Sequence, residues 1–194
     1  MGKTWVAARL LTALRRSGAH VAARKPAQSF AVGEGPTDAE VLAAATGEHP
    51  TDVCPAHRWY ERPLAPPMAA DVLGRAPFTV ADLVGELAWP EGVDVGVVEG
   101  VGGPRSPLAA DGDTVDVARA LVPTLVVLVA DAGLGTINAV RLGVSSLPAP
   151  LVVMLNRYDR ADDLHVRNRR WLAEHNGFDV TTAVEQLADR LRLS

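Results

Sequence analysis

Short valine-rich runs alternate along the chain with segments of helical periodicity, and this alternation constrains the fold more than any other feature. The runs occupy residues 20–24, 93–98, 124–130 and 151–155. Their length and continuous apolar character predict buried strands of a parallel sheet. Helical spacing of apolar residues runs from Thr4 to an end at Gly18, and then over residues 37–46, 79–88, 114–121, 137–147 and 164–175. The sequence therefore predicts an α/β fold with helices on both faces of a mostly parallel sheet.

The bulk composition fits one globular domain that covers residues 1–194. Hydrophobic residues make up 48% of the chain and the formal net charge is −4, so we expect small-molecule partners and no broad surface for nucleic acid or membrane. No apolar run reaches the roughly 20 residues that span a bilayer. Cys54 is the only cysteine and no leader-like segment precedes the first helix, which favours a cytoplasmic protein with Cys54 packed as an apolar side chain.

A polar residue stands where each predicted strand ends. Lys25 follows the first run, Glu99 the second, Asp131 the third and Asn156 the fourth. Ligands of open α/β sheets bind outside the carboxyl ends of the strands. A single polar residue at a strand end is equally well explained as the start of a turn, but four together predict one shared ligand crevice.

Lysine occurs only twice in the chain, at Lys3 and Lys25. Lys3 lies in Gly2-Lys3-Thr4, which matches the last three residues of the phosphate-binding loop G-x-x-x-x-G-K-[ST]. The motif opens the first predicted helix, whose N-terminal amides favour an anionic phosphate. We expect Lys3 to contact phosphate oxygens and the Thr4 hydroxyl to ligate Mg2+. Three residues also match by chance, so this prediction depends on the motifs downstream.

Lys25 and Glu99 extend the phosphate site to the next two strand ends. Lys25 precedes Pro26, which stops strand pairing and turns the chain over the sheet edge. Lys25 could be a surface residue, but a compact ammonium suits a single oxygen, and we predict that it reaches the transferring phosphoryl group. Glu99 opens the run Glu-Gly-Val-Gly-Gly, where a carboxylate beside phosphates would hold Mg2+. Asp38 is either a second metal ligand or only a favourable charge at a helix start.

Two further polar motifs follow strands. The segment Gly135-Thr136-Ile137-Asn138 is a glycine turn that leads into a helix, which suits the binding of a carboxylate by backbone amides. Asn156 has an amide that both donates and accepts, which suits a nucleobase, although a plain turn residue is the competing interpretation. The five histidines show no ligand spacing, which argues against zinc.

In order and spacing, these motifs resemble the dethiobiotin synthetases over about residues 1–160. The matching positions are Gly2-Lys3-Thr4, Lys25-Pro26, Asp38, Glu99-Gly100-Val101-Gly102-Gly103, Leu134-Gly135-Thr136-Ile137-Asn138 and Asn156-Arg157. The resemblance implies a P-loop NTPase-like fold and an ATP- and Mg2+-dependent ligase of biotin biosynthesis. Such an enzyme closes the ureido ring of dethiobiotin from 7,8-diaminononanoate and CO2, through a carbamate and a carbamic-phosphoric anhydride.

The resemblance also implies a role for each matching residue. The catalytic residues it implies are Lys3 and Lys25, and the metal ligands are Thr4, Asp38 and Glu99. The nucleotide contacts it implies are Gly2, Lys3, Thr4, Glu99, Gly102 and Asn156. The substrate contacts it implies are Lys25, Ser29, Gly135, Thr136 and Asn138. The last three would lie at a homodimer interface, where a helix N-terminus meets the substrate carboxylate of the neighbouring subunit.

The chain departs from the family pattern in four ways. Phe30 stands where glycine is usual, Pro67 stands where many members have histidine, and the tail from Gly177 lacks the usual strand ending in Gly-x-Ile-Pro. The central first strand and most of the phosphate loop are missing, so we expect the neighbouring strands to lose a ladder partner. Met1 stands where members often have valine, and we interpret it as a GTG codon inside a longer gene. An in-frame upstream extension that encodes a valine-rich strand would support this interpretation, and an immediate stop codon would refute it.

Two other functions stay open on the sequence alone. One is a related P-loop amidoligase of the cobyrinate diamide synthase type, which would normally carry a glutamine-hydrolysing domain with a reactive cysteine. The chain has no length left for such a domain. The other is a degenerate nucleotide-binding module that has lost catalysis together with its phosphate loop.

Overall fold

The computed structural model describes residues 2–192, in which short strands and helices alternate. The strands are β1 (Val21–Arg24), β2 (Gln28–Ser29), β3 (Trp59–Tyr60), β4 (Val95–Val98), β5 (Val126–Asp131), β6 (Leu151–Asn156) and β7 (Val180–Thr181). The helices are α1 (Lys3–Arg16), α2 (Asp38–Thr46), α3 (Pro50–Val53), α4 (Pro66–Val72), α5 (Val80–Gly85), α6 (Thr114–Leu121), α7 (Thr136–Val144), α8 (Asp163–Arg170) and α9 (Val184–Arg192). A 3-10 turn, Ala56–Arg58, precedes β3, and a π-helical turn, Trp171–His175, continues α8. Within residues 2–192, no helix is both long and apolar enough to cross a membrane.

Every pair of neighbouring strands is parallel, as predicted. β1 pairs with β4 along its whole length, which sets Arg24 opposite Val98. β6 lies between β5 and β7, and the β5–β6 ladder ends with Asp131 opposite Asn156. The strands form three separate sheets and not one continuous sheet: no strand among residues 2–192 pairs with both β4 and β5, and β2 and β3 pair only with each other.

Helices cover both faces of β5 and β6, which confirms the predicted layers. Side chains of a strand alternate between its two faces. Val129 and Met154 belong to a core that also contains residues of α1, α2 and α9. Leu128 and Leu155 belong to a second core with α7 and the π-helical turn. Val21 of β1 lies in the first core as well, so helix packing joins the ladders that backbone pairing leaves separate.

Candidate functional site

Two buried side chains of opposite charge meet where β1 and β4 end. Lys25 follows β1 and Glu99 follows β4, and the Glu99 N–H donates to the Arg24 carbonyl at 2.9 Å, which continues the ladder. Lys25 is 2% exposed and Glu99 is 5% exposed. The Lys25 Nζ donates to Glu99 Oε1 at 2.8 Å. The ladder thus brings two predicted site residues into direct contact.

The Lys25 ammonium also contacts two other segments of the chain. Its Nζ lies 2.7 Å from Asp38 Oδ2 and donates to the Gly100 carbonyl at 3.2 Å. Burial acts to lower the pKa of Lys25, but the charges and hydrogen bonds of Glu99 and Asp38 outweigh it and raise that pKa above its ordinary value. Lys25 is therefore held as a charged ammonium between two carboxylates.

Asp38 reaches the cluster because α2 begins there. Thr37 is the N-cap of α2 and forms a capping box with Glu40: the Glu40 N–H donates to the Thr37 hydroxyl at 3.3 Å, and the Thr37 N–H donates to the Glu40 carboxylate at 2.7 Å. Asp38 is the first helical residue. Burial acts to raise the pKa of Asp38, but Lys25, with a smaller contribution from Thr4, outweighs it and lowers that pKa. The carboxylate is thus kept ionised.

The Thr4 hydroxyl lies between the same two carboxylates. Its Oγ1 is 2.8 Å from Asp38 Oδ1 and 2.8 Å from Glu99 Oε1, yet a hydroxyl has only one hydrogen to donate. Glu99 Oε2 is buried and lacks a hydrogen-bond partner among the described residues. Around the Thr4 hydroxyl, the carboxylate oxygens outnumber the hydrogens that can be donated to them. A cation bound there would be coordinated by the oxygens that lack a hydrogen.

This donor set suits Mg2+ better than a metal that needs a full protein cage. Mg2+ is usually held by one or two carboxylates, with its remaining positions filled by phosphate and water. The part of the chain that the structure describes contains no group of three or more His, Cys, Asp and Glu side chains suited to a metal. Thr4, Asp38 and Glu99 match the sparser Mg2+ pattern.

Lys3 contacts the glycine run that follows Glu99. Its Nζ donates to the Gly102 carbonyl at 2.8 Å. Gly102 has a φ of 60°, and a Cβ there would lie 2.4 Å from Ser106 Oγ, so the turn requires glycine. Burial lowers the pKa of Lys3, and the positive charge of Lys25 lowers it further. An anion bound between the two ammonium groups would relieve their repulsion.

The start of α1 packs against the end of β6. Gly2 is the N-cap of α1, with a φ of 77° and no side-chain hydrogen bond as a cap. A Cβ on Gly2 would lie 2.5 Å from Asn156 Nδ2, and Asn156 is 6% exposed. Beside it, Asp131 Oδ1 lies 4.0 Å from Arg157 Nη1. Gly2 and Asn156, both predicted to bind nucleotide, are therefore neighbours.

Replacing Gly2 by alanine is expected to destabilise the protein more than replacing Gly18. Both glycines have positive φ, 77° and 94°, so each alanine would carry left-handed strain. That strain costs about 1–2 kcal/mol. A Cβ at Gly18 meets nothing within 4 Å, whereas at Gly2 it meets Asn156. Urea unfolding of both variants measures the difference, and equal losses of unfolding free energy would contradict the packing of Asn156 on Gly2.

Four predicted substrate contacts make no described hydrogen bond or ion pair with the lysine–carboxylate cluster. Ser29 is half-buried in β2, and Gly135 is the N-cap of α7 with a φ of 86°. Thr136 is buried, with no hydrogen-bond partner for its hydroxyl among the described residues, and Asn138 is exposed. No hydrogen bond or ion pair within residues 2–192 joins any of the four to the cluster.

One residue that lies against the cluster was not predicted from the sequence. Gln28 is 2% exposed, and its Oε1 accepts the N–H of Ala39, the residue after Asp38, at 3.0 Å. Its position three residues after Lys25 was the only available signal, since a single polar residue in a short segment matches no motif. The bond joins β2 to α2, which no local pattern predicts.

Comparisons with known proteins identify the family. A family model described as an AAA domain matches residues 1–191. The ATP-dependent dethiobiotin synthetase BioD of Rhodococcus jostii is 42% identical over 151 residues, which are 77% of this chain and 64% of that protein. The corresponding protein of Anaeromyxobacter dehalogenans is 39% identical over 170 residues, 84% of this chain and 74% of that protein. That of Haloferax mediterranei is 37% identical over 188 residues, 94% of this chain and 78% of that protein.

The aligned part of the chain covers 64% to 78% of the length of these three relatives. Each relative is more than 30% identical, and the alignments extend over most of the chain. They agree with the resemblance carried by the phosphate motif and the strand-end residues. The chain belongs to the dethiobiotin synthetase family.

Proposed function

We propose that the chain is an ATP-dependent ligase of biotin biosynthesis, which closes the ureido ring of dethiobiotin from 7,8-diaminononanoate and CO2. One observation carries the proposal: the Lys25 ammonium and the Thr4 hydroxyl contact the same two carboxylates, Asp38 and Glu99, at the start of α1. Phosphoryl transfer needs positioned cations around the phosphate oxygens more than it needs a protein nucleophile. The curated relatives carry the name of this enzyme.

The chemistry takes place on the substrates. One amine of the diamine adds to CO2 and loses a proton, which gives a carbamate. A carbamate oxygen attacks the γ-phosphorus of ATP, and ADP leaves. The second amine then attacks the carbonyl carbon of the mixed anhydride and loses a proton, the bond from that carbon to the phosphate oxygen breaks, and phosphate leaves as the ring closes. In this reaction the protein forms no covalent bond with a substrate. It would accelerate the reaction by aligning the three reactants.

Lys3 and Lys25 are the catalytic residues of this proposal. Lys25 binds the oxygens of the carbamate and of the transferring phosphoryl group, and Lys3 binds phosphate oxygens from the side of the glycine run. Lys25 is 2% exposed, so its attraction to the developing charge is screened little by water. Its contacts with Asp38 and Glu99 hold the ammonium in place before substrate arrives.

Thr4, Asp38 and Glu99 would hold Mg2+, which supplies positive charge next to the phosphates when it is bound. Glu99 Oε2, which has no hydrogen-bond partner among the described residues, and the single hydrogen of the Thr4 hydroxyl support this assignment. Gly2 and Gly102 permit close approach of backbone to phosphate. Asn156, which lies against Gly2, would contact the nucleobase.

Ser29 would face the diamine, and Gly135, Thr136 and Asn138 would bind its carboxylate across a homodimer interface. The N-terminus of α7 supports this placement, because Gly135 provides no side-chain cap and Leu134 is 93% exposed. Exposed apolar side chains are common at subunit contacts. Sedimentation equilibrium should give twice the mass of the chain, and a monomer at assay concentration would refute the interface.

A cytoplasmic location is part of the proposal. Cys54 is fully buried, and burial raises its pKa to about 12, which keeps the thiol protonated and unreactive. A lone buried thiol suits a reducing compartment. Fractionation of cells that express the protein would test the location.

The two other functions are less favoured. The curated relatives are dethiobiotin synthetases and not cobyrinate amidoligases. A degenerate module would have no need to keep the buried Lys25 ammonium in contact with two carboxylates, Asp38 and Glu99.

Product formation tests the proposed activity. Incubation of the protein with MgATP, 7,8-diaminononanoate and 13C-bicarbonate should give singly labelled dethiobiotin and an equal amount of ADP. Omission of the diamine should stop ADP release. Binding of MgATP without any dethiobiotin would favour the degenerate module.

A further inference from the structure

Gln28 connects the segment that carries Lys25 to the helix that carries Asp38. It lies in β2 and is 2% exposed. Its Oε1 accepts the Ala39 N–H at 3.0 Å. Ala39 follows Asp38 in the first turn of α2 and is fully buried. The bond therefore fixes the start of α2 against β2.

This bond is not part of the ordinary cap of α2. Thr37 and Glu40 already form a complete capping box, which satisfies the N–H groups of those two residues. The Ala39 N–H is a different first-turn donor and needs a separate acceptor. Because Gln28 Oε1 faces that N–H, Gln28 Nε2 is left buried without a partner among the described residues. Gln28 therefore satisfies the buried Ala39 N–H and leaves one of its own donors unsatisfied.

The position of the Asp38 carboxylate depends on the hydrogen bond between Gln28 and Ala39 more than the position of the Glu99 carboxylate does. The Glu99 side chain is 4% exposed and is held by the end of β4, whereas the Asp38 side chain is 43% exposed. The surroundings of Asp38 therefore confine it less, and its position follows that of the α2 backbone. Lys25 Nζ lies 2.7 Å from Asp38 Oδ2, and Thr4 Oγ1 lies 2.8 Å from Asp38 Oδ1. A small shift of the first turn of α2 would lengthen both contacts.

We propose that Gln28 is a positioning residue for the metal site: by holding the Ala39 N–H, it keeps the Asp38 carboxylate beside Thr4, where the two residues and Glu99 would hold Mg2+. The proposal rests on the proposed function, since it takes these three residues as the Mg2+ ligands. Gln28 touches no reacting atom. Its effect is on metal affinity, and it acts through the backbone of α2.

Four variants separate positioning from simple stabilisation of α2. Gln28→Met keeps the length of the side chain but removes the acceptor, and Gln28→Asn keeps the amide but shortens its reach. Gln28→Glu keeps an acceptor for Ala39. Thr37→Ala is the matched control, because it removes a cap from the same helix and leaves the Gln28 bond in place. For each full-length variant, calorimetry with ADP-saturated protein measures the Kd for Mg2+, and thermal unfolding measures stability.

Gln28→Met and Gln28→Asn should bind Mg2+ about 10-fold more weakly than wild type, as loss of a supporting contact around a metal typically does. Gln28→Glu should bind close to wild type. Thr37→Ala should lower the melting temperature without changing the Kd for Mg2+. If Gln28→Met does not fold, Gln28→Asn decides the result.

Two results would overturn the inference while leaving the proposed function intact. One is an unchanged Mg2+ Kd in the folded Gln28 variants, and the other is an equal loss of Mg2+ affinity in Thr37→Ala. Absence of Mg2+ binding by the ADP-saturated wild type is a distinct result, which would refute the proposed metal site and the positioning role together.

Discussion

Replacement of Lys25 by methionine should strongly lower turnover and destabilise the protein at the same time. Lys25 balances the buried charge of Glu99 and contacts Asp38 at 2.7 Å. Removing one member of a buried pair leaves the other uncompensated, which costs about 3–5 kcal/mol. Loss of a preorganised cation at the transferring phosphoryl group should lower kcat by about 100- to 1,000-fold. Steady-state kinetics and urea unfolding measure the two effects.

A double variant separates these two roles of Lys25. Lys25→Met combined with Glu99→Gln removes both charges, so much of the lost stability should return while turnover stays low. Mg2+ should also stabilise Lys25→Met more than it stabilises wild type, because the ion would supply the missing positive charge. A Lys25→Met protein with wild-type kcat would remove Lys25 from the mechanism.

Replacement of Glu99 by glutamine should have the second largest effect, on the Mg2+ dependence of the reaction. The side chain keeps its shape but loses a carboxylate that contacts both Lys25 and Thr4. Changes in the contacts that support a metal already cost about 10- to 100-fold in affinity, and we expect the loss of a ligand to cost at least as much. Calorimetric titration with Mg2+ in the presence of ADP gives the Kd directly.

Glu48→Gln is the matched control for Glu99→Gln. Glu48 also pairs with a buried cation of β1, since its Oε1 lies 2.6 Å from Arg24 Nη1, and it accepts the Ala23 N–H at 2.8 Å. It makes no contact with the phosphate motif among the described hydrogen bonds. Glu48→Gln should lose stability and keep its Mg2+ affinity. If the two variants weakened Mg2+ binding equally, the assignment of Glu99 as a ligand would be wrong.

The main strands could be predicted from sequence, but the shorter ones could not. β4, β5 and β6 are valine-rich runs whose predicted limits lie within two residues of the observed ones. β2, β3 and β7 have two residues each, too few for any periodicity to appear. Their existence depends on tertiary contacts such as the hydrogen bond from the Phe30 N–H to the Tyr60 carbonyl at 3.0 Å. The three separate sheets also depend on pairing that no local pattern contains.

Some contacts of the candidate site could likewise be predicted from the sequence, and others could not. Adjacent parallel strands end at one edge, so the sequence could predict that Lys25 and Glu99 lie close together. The capping residues Thr37 and Glu40 indicate a helix start, but local sequence does not say that this start meets Lys25. The bond between Gln28 and Ala39 depends on the packing of β2 against α2. Contacts between elements that are distant in the chain follow from packing, which motifs of a few residues do not encode.

The fate of the carbamate oxygen is the most direct test of the proposed reaction. With 18O-labelled CO2, 7,8-diaminononanoate and MgATP under rapid quench, the phosphate released with dethiobiotin should carry one 18O atom, because the carbamate oxygen stays on phosphorus when the ring closes. Mass spectrometry of the phosphate detects this transfer. Phosphate free of label, released while dethiobiotin forms from labelled CO2, would contradict the mixed anhydride and with it the roles proposed for Lys3 and Lys25.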